Sequence, residues 1–156
     1  MQSLLQRDLR QDKPFGSLEE VVFLNLLRTA DDLLQGEVAV LRTADLSFAQ
    51  YNVLRVLRGA GKDGLPCSAI AERLVNRDPD VTRLLDRLEQ RRLVERARDS
   101  ADRRVVLATI TRDGLQLLKD LDGPVSAVHR DQLAHLSRRQ LEQLSGLLEA
   151  ARTRGG

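Results

Sequence analysis

The sequence predicts a mainly α-helical fold with one small β-hairpin, and three observations support this prediction. Hydrophobic residues make up 42% of the chain but aromatic residues only 3%, with no tryptophan, which suits helix-on-helix packing. Apolar residues recur at spacings of three and four through most of the chain, as they do in amphipathic helices. Only two short β-branched segments, at 93–96 and 105–110, depart from that pattern.

Length and charge set limits on the class of protein. At 156 residues the chain fits one domain, or a small domain with a helical extension. The net charge of +2 is too small to indicate a nucleic-acid partner by itself. All basic residues except Lys13, Lys62 and Lys119 are arginine, whose planar fork suits phosphate and guanine. A GC-rich genome explains the same bias equally well.

The cellular compartment is predicted from cysteine usage and hydropathy. Cys67 is the only cysteine, so an intramolecular disulfide is excluded and a reducing compartment is favoured. The sequence shows neither the apolar stretch of a signal peptide nor an apolar run long enough to span a membrane. We therefore expect a cytoplasmic, soluble protein with no membrane partner.

The first helices are predicted from periodicity and capping signals. Residues 1–16 are polar and predict a flexible N-terminal arm, and a long helix follows from about Ser17 to Thr43. Ser47 and Gln50 form a capping-box pattern that begins a second helix, which Gly59-Ala60-Gly61 ends. A short helix is predicted over Cys67–Leu74. A further helix, the third within residues 46–110, follows over Asp78–Gln90, with Asp78 as its cap and Pro79 in its first turn.

The rest of the chain predicts a hairpin and two further helices. A charged loop, 99–104, separates the two β-branched segments. Thr111 opens a long helix toward His135, in which Pro124 is expected to cause a kink. A second capping box at Ser137 begins a final helix. Its inward residues are predicted to be Leu141, Leu144, Leu147, Leu148 and Ala151.

Three helices followed by a β-hairpin is the winged helix-turn-helix layout, so residues 46–110 are predicted to form a DNA-binding domain. The third helix would enter the major groove. Its exposed face carries Arg83 and Arg87 one turn apart with Thr82 beside them, and Arg77 precedes it. Asp80 either accepts hydrogen bonds from cytosine amino groups or only caps the helix, and the sequence leaves both interpretations open.

These residues resemble the MarR family of bacterial regulators. The recognition-helix motif runs over 80–89 and is followed by Leu93-Val94-Glu95-Arg96. The wing signature of the family is Asp-x-Arg, a hydrophobic strand, then Leu-Thr-x-x-Gly. Here it is matched by Asp102-Arg103-Arg104 and Ile110-Thr111-Arg112-Asp113-Gly114, with Ile for Leu. Pro66 in place of a Thr or Ser cap, and the acidic start 78–80, depart from the family pattern.

The resemblance implies a role for the wing, in which its arginine enters the minor groove. The matching positions are Asp102 and Arg104. Residues two apart in an extended segment point the same way, so Asp102 is expected to orient Arg104 while Arg103 points elsewhere, toward phosphate. The alternative is a solvated turn without function, which the surrounding motifs disfavour.

The resemblance also implies a homodimer built from residues 17–45 and 111–153, which binds a near-palindromic operator as a repressor. The apolar pattern of the chain agrees, because these segments carry more apolar residues than the small core can bury. A small aromatic effector is implied in a cleft between the dimerisation stem and the DNA-binding lobe, although ordinary core packing explains the same residues. They are Phe23, Leu27, Arg28, Phe48, Tyr51, Leu54, Leu115 and Leu118.

Other functions have less support. Cys67 is interpreted as a partly buried, inert thiol and not as a redox switch, and the spacing of His129 and His135 disfavours a metal site. No phosphate loop or nucleophile–base pattern indicates an enzyme or a cofactor. A winged-helix protein-interaction module is the main alternative, and an apolar exposed stripe on the third helix would favour it.

Overall fold

The computed structural model describes residues 3–76 and 80–153. Within these residues the helices and strands follow the predicted order, so the mainly α-helical fold with a small β-hairpin is confirmed. The elements are α1 (Leu4–Asp8), α2 (Leu18–Arg42), α3 (Phe48–Ala60), β1 (Leu65–Pro66), α4 (Cys67–Arg73), α5 (Val81–Gln90), β2 (Val94–Arg98), β3 (Val106–Ile110), α6 (Arg112–Leu133) and α7 (Arg138–Arg152).

The predicted capping boxes set the helix starts. Ser47 Oγ accepts the backbone N–H of Gln50 at 3.1 Å, and the Gln50 side chain accepts the N–H of Ser47 at 2.9 Å. Ser137 and Gln140 repeat this arrangement at the start of α7. Local sequence therefore determines these helix boundaries, because each cap satisfies backbone donors that a helix leaves unpaired.

The core lies around α3, which supplies side chains to it on several sides. Leu54 and Leu57 of α3 are fully buried, together with Leu41 of α2, Ile70 of α4 and Leu118 of α6. Leu88 of α5 joins the same cluster. α5 is thus held by apolar burial on its inner face, which leaves its outer face to solvent.

The sheet has three strands in the order β1–β3–β2, all antiparallel. β2 and β3 form the predicted hairpin, whereas β1 was not predicted because it is two residues long and contains Pro66. A proline is tolerated there because β1 is an edge strand. Gly64, at φ +67°, allows the close approach, since a Cβ would lie 2.7 Å from the carbonyl oxygen of Ala108.

The wing, which consists of β2, β3 and the loop between them, joins α6 through Thr111 and Gly114 of the sequence signature. Thr111 Oγ1 donates to the Arg92 carbonyl at 2.8 Å and also accepts the N–H of Gly114 at 3.0 Å, which caps α6. A Cβ at Gly114 would collide with the carbonyl of Leu93. Glycine therefore lets α6 begin directly against the first residues of the wing.

The ends of the chain differ from the sequence prediction. Within the predicted flexible arm, α1 forms a short helix whose Leu5 is only 3% exposed. The predicted inward packing of α7 is wrong for the single chain, since no residue of α7 is buried and Leu147 is 69% exposed. α6 passes through Pro124 as one helix, and the expected kink stays a prediction.

Candidate nucleic-acid interface

The recognition helix α5 begins later than predicted. Arg77, Asp78 and Pro79 lie outside the described residues, and the N-cap is Asp80 in place of the predicted Asp78. Its Oδ1 accepts the backbone N–H of Arg83 at 3.0 Å. Of the two interpretations of Asp80, capping is the one that this geometry fits, because the carboxylate satisfies a donor of the first turn.

The outer face of α5 presents two arginines. Arg83 and Arg87 are exposed, and neither side chain makes a hydrogen bond or ion pair within residues 3–76 and 80–153. Thr82, predicted to lie beside Arg83, is also exposed, and its Oγ1 lies 3.6 Å from the sulfur of Cys67 on α4. The two guanidiniums are thus available to an external anion or acceptor.

A third arginine, Arg96, connects the wing to α5. Arg96 of β2 donates from Nε to Glu89 at 3.1 Å and from Nη2 to Asp86 at 2.6 Å. The hydrogen bond from Arg96 holds the pKa of Glu89 below its ordinary value. Two carboxylates on α5 are therefore neutralised from within the chain. The sequence did not predict this role, although Asp86 and Glu89 share a helix face and a basic strand residue follows.

The predicted pair at the wing tip is present. Asp102 Oδ1 accepts both the backbone N–H of Arg104 at 3.0 Å and its side-chain Nε at 3.1 Å. These bonds lower the pKa of Asp102. The segment is a turn and not the extended chain on which the prediction relied, so the pairing results from an Asx-type turn. Arg98 also donates to the carbonyl of Arg103 at 2.9 Å, which braces the loop.

The structure does not bring the predicted effector residues into one cavity. Tyr51, Leu54 and Leu118 belong to the buried core, each no more than 2% exposed. Phe23, Leu27 and Leu115 are instead exposed, and Arg28 is paired with Asp32 on the surface of α2. Phe48 is half-buried and lines open grooves. Three of the eight residues are therefore core positions, and four lie on the surface.

Two further features concern residues 3–76 and 80–153. No cluster of three or more metal-ligating side chains occurs there. None of the helices in that part of the chain has the length and apolar content that a bilayer crossing requires. His129 instead makes a 2.9 Å contact with Glu37, which joins α6 to α2.

The chain is similar to known regulators in sequence and structure. The MarR family model matches residues 44–105. The transcriptional regulator HosA of Escherichia coli is 32% identical over 98 residues, which cover 63% of this chain and 71% of HosA.

Among solved structures, a MarR transcription factor from Planctomyces limnophilus is 43% identical, with a TM-score of 0.67 over 88% of this chain and 99% of that one. Bordetella bronchiseptica BpsR, whose DNA binding is regulated by 6-hydroxynicotinic acid, is 21% identical. Its TM-score is 0.77 over 92% of this chain and 100% of BpsR.

The matched segment contains α3, α4, α5 and the wing up to its tip, which are the elements that carry Arg83, Arg87 and the Asp102–Arg104 pair. The match to HosA and to the Planctomyces structure extends the similarity beyond that segment. The chain belongs to the MarR family of winged helix-turn-helix, DNA-binding transcriptional regulators.

Proposed function

We propose that this chain is a homodimeric repressor that binds a near-palindromic operator and is released by a small aromatic effector. The observation that carries the proposal is the outer face of α5, where Arg83 and Arg87 have no side-chain partner among the described residues while Arg96 neutralises the adjacent carboxylates. The proposed site of action is the cytoplasm, where the operator is accessible.

In this proposal residues 46–110 contact DNA at two places. α5 enters the major groove, where an arginine fork matches the O6 and N7 acceptors of guanine. The wing places Arg104, whose side chain is 92% exposed, in the adjacent minor groove. Arg103, exposed beside it, contacts phosphate.

Residues 17–45 and 111–153 form the dimerisation stem in this proposal. α2 exposes Phe23 and Leu27 at 60% and 55%, and α7 exposes Leu147. Large side chains exposed in rows along two helices indicate a surface that another chain covers. A two-fold dimer spaces the two α5 helices about one DNA turn apart, roughly 34–36 Å, and this spacing favours a near-palindrome.

The rival function, a protein-interaction module, requires an apolar outer stripe on α5. The exposed positions are instead Thr82, Arg83, Arg87 and Gln90, which suit a polar and anionic partner. Release by an aromatic effector is supported by the similarity to BpsR, which 6-hydroxynicotinic acid regulates.

Selection of bound duplexes from random DNA tests the proposal. We expect enriched sites with two inverted half-sites, and affinity that falls steeply with salt because phosphate contacts release counterions. Repeating the selection with hydroxylated aromatic acids tests release. The full chain with Arg83 and Arg87 both changed to Gln is the control. Enrichment of no sequence, or equal enrichment by this control, would contradict the proposal.

A further inference from the structure

We infer that Arg91 is a positioning residue, which fixes the angle between α5 and the stem helix α2 and thereby restricts the half-site spacing that the dimer accepts. Arg91 directly follows α5. Its guanidinium donates to the main-chain carbonyl of Ala44 at 2.9 Å and to that of Asp45 at 2.5 Å, just beyond the end of α2. The inference rests on the proposed function, since it requires an operator with two half-sites.

α2 ends in a turn that fixes the two acceptor carbonyls. The N–H of Leu46 donates to the carbonyl of Leu41, and the N–H of Asp45 donates to the carbonyl of Arg42, both at 3.1 Å. With Asp45 at φ +52°, these bonds form a Schellman motif. Leu41 and Leu46 are both buried in the core. The carbonyls at the end of α2 are therefore held rigidly, and they carry the negative end of the helix dipole, which attracts a cation.

α5 ends in the same kind of turn, which fixes the backbone of Arg91. The N–H of Leu93 donates to the carbonyl of Leu88 at 3.0 Å, and the N–H of Arg92 donates to the carbonyl of Glu89 at 2.8 Å. Arg92 has φ +58°, and both leucines are buried in the core. The Arg91 guanidinium thus joins two turns that are each fixed by main-chain bonds and apolar burial.

The two helices that Arg91 joins otherwise pack on different neighbours. α2 packs mainly against α6 and α3, whereas α5 packs mainly against α3, α4 and β2. The guanidinium is planar and rigid, so two bonds from it define a direction as well as a distance. Without these bonds, the angle between α5 and α2 depends on the apolar packing around α3 alone.

The angle between α5 and α2 determines which operators fit the proposed dimer. A change of this angle acts in both protomers, so it changes the distance between the two α5 helices. One base pair inserted between the half-sites separates them by about 3.4 Å and rotates one against the other by about 35°. A rigid junction cannot follow this change without losing contacts, whereas a loose junction follows it at lower cost. Arg91 therefore favours one spacing over its neighbours.

The test compares gel shifts, at fixed salt, of the selected operator and of derivatives with one base pair inserted or removed between the half-sites. We expect Arg91→Gln to reduce the ratio of the affinities for native and altered spacing at least about threefold, because the junction loses its rigidity. Arg92→Gln removes the same charge from the adjacent exposed residue and is expected to keep the ratio. An unchanged ratio for Arg91→Gln would overturn the inference. A uniform loss with a smaller salt dependence would assign Arg91 to a phosphate and also overturn it.

A second variant tests which acceptor matters. Asp45→Asn keeps the main-chain carbonyl, removes the carboxylate and tolerates the left-handed φ. It is expected to keep the wild-type preference for one spacing, because Arg91 donates to carbonyls. If Asp45→Asn instead reproduces the effect of Arg91→Gln, the carboxylate is responsible and the inferred role of the carbonyls is refuted.

A measurement without DNA separates this inference from the proposed function. In a Cys67→Ser, Glu72→Cys background, a nitroxide is attached at position 72 on α4, an exposed position away from α5 and the stem. Electron paramagnetic resonance then measures the distances between the labels of the two protomers. We expect a broader distance distribution when Arg91→Gln is added. Equal widths would overturn the inference even if operator binding is as proposed. A broader distribution in a chain that selects no operator would support the role of Arg91 and refute the proposed function.

Discussion

Arg96 of β2 donates from Nε to Oε2 of Glu89 at 3.1 Å, and this bond joins the wing to the last turn of the recognition helix. The same guanidinium reaches Asp86, so one cation serves two carboxylates of α5. This contact keeps the hairpin against the helix. It also removes negative charge from the surface that the proposal places against DNA.

The contacts of Arg96 predict that its substitution weakens operator binding and that a second substitution, at Glu89, partly restores it. Arg96→Gln should weaken operator binding, because it leaves two carboxylates unpaired near the phosphates, and should lower stability by only about 1 kcal/mol since the network is partly exposed. Adding Glu89→Gln should recover part of the affinity. Gel shifts at fixed salt and urea unfolding measure the two effects, and a double variant no tighter than Arg96→Gln would refute charge neutralisation.

The wing tip gives a second prediction. Arg104→Ala should weaken operator binding about tenfold, because a charge-assisted contact in the minor groove is lost, while the fold is retained. The side chain is 92% exposed, so its removal disturbs no packing. A salt-controlled gel shift measures the loss, and Arg139→Ala on α7 is the control. Unchanged affinity would exclude the wing from the mechanism.

The effect of substituting Arg83 distinguishes recognition of a base from contact with a phosphate. Arg83→Ala should cost on the order of 1–3 kcal/mol and relax the preference at one base pair of each half-site. Affinities for operators substituted one base pair at a time provide the measurement. A uniform loss for all sequences would instead assign Arg83 to a phosphate.

The exposed apolar residues of α2 and α7 predict that a charge introduced among them disrupts the dimer. Leu147→Glu should dissociate the dimer, because it places a charge in a surface that the partner covers. Sedimentation at several concentrations measures the shift to monomer, with weaker operator binding as a consequence. Val106→Lys, which changes an exposed apolar residue of the wing, is the control. A dimeric Leu147→Glu variant would remove α7 from the proposed interface.

The buried phenol of Tyr51 predicts that the free energy of unfolding falls at alkaline pH. Burial raises the pKa of its phenol above 10.0, and the side chain is 2% exposed. Because the folded pKa is the higher one, this stabilisation is complete below the unfolded pKa and is lost as pH rises through the folded value. Urea unfolding between about pH 8 and 11 should show a smaller loss for Tyr51→Phe than for the wild type. Equal losses would contradict this explanation.

Local signals in the sequence predicted the helix starts and the wing motif. Ser47 with Gln50, and Asp102 with Arg104, are close in the chain, so their pairing needs little beyond short-range geometry. The start of α5 was placed too early, because Asp78 and Asp80 are both good caps. Choice between them depends on which backbone donors the tertiary structure leaves unpaired.

Contacts between residues that are far apart in the sequence were not predicted. The short strand β1 depends on pairing of Leu65 with Ala108, and the anchoring of Arg91 depends on carbonyls at Ala44 and Asp45. Neither has a local pattern, since both partners gain their positions from the packing of other elements. The predicted effector residues failed to converge for the same reason.

By itself the sequence determined the order and type of the elements, the arginines of α5 and the wing motif, because periodicity and capping act within a few residues. Only the tertiary structure decided which charges remain unpaired. It placed Arg96 against Asp86 and Glu89, and it left Arg83 and Arg87 without side-chain partners in the described part of the chain. Charge pairing depends on distance in space, and the packed core sets that distance.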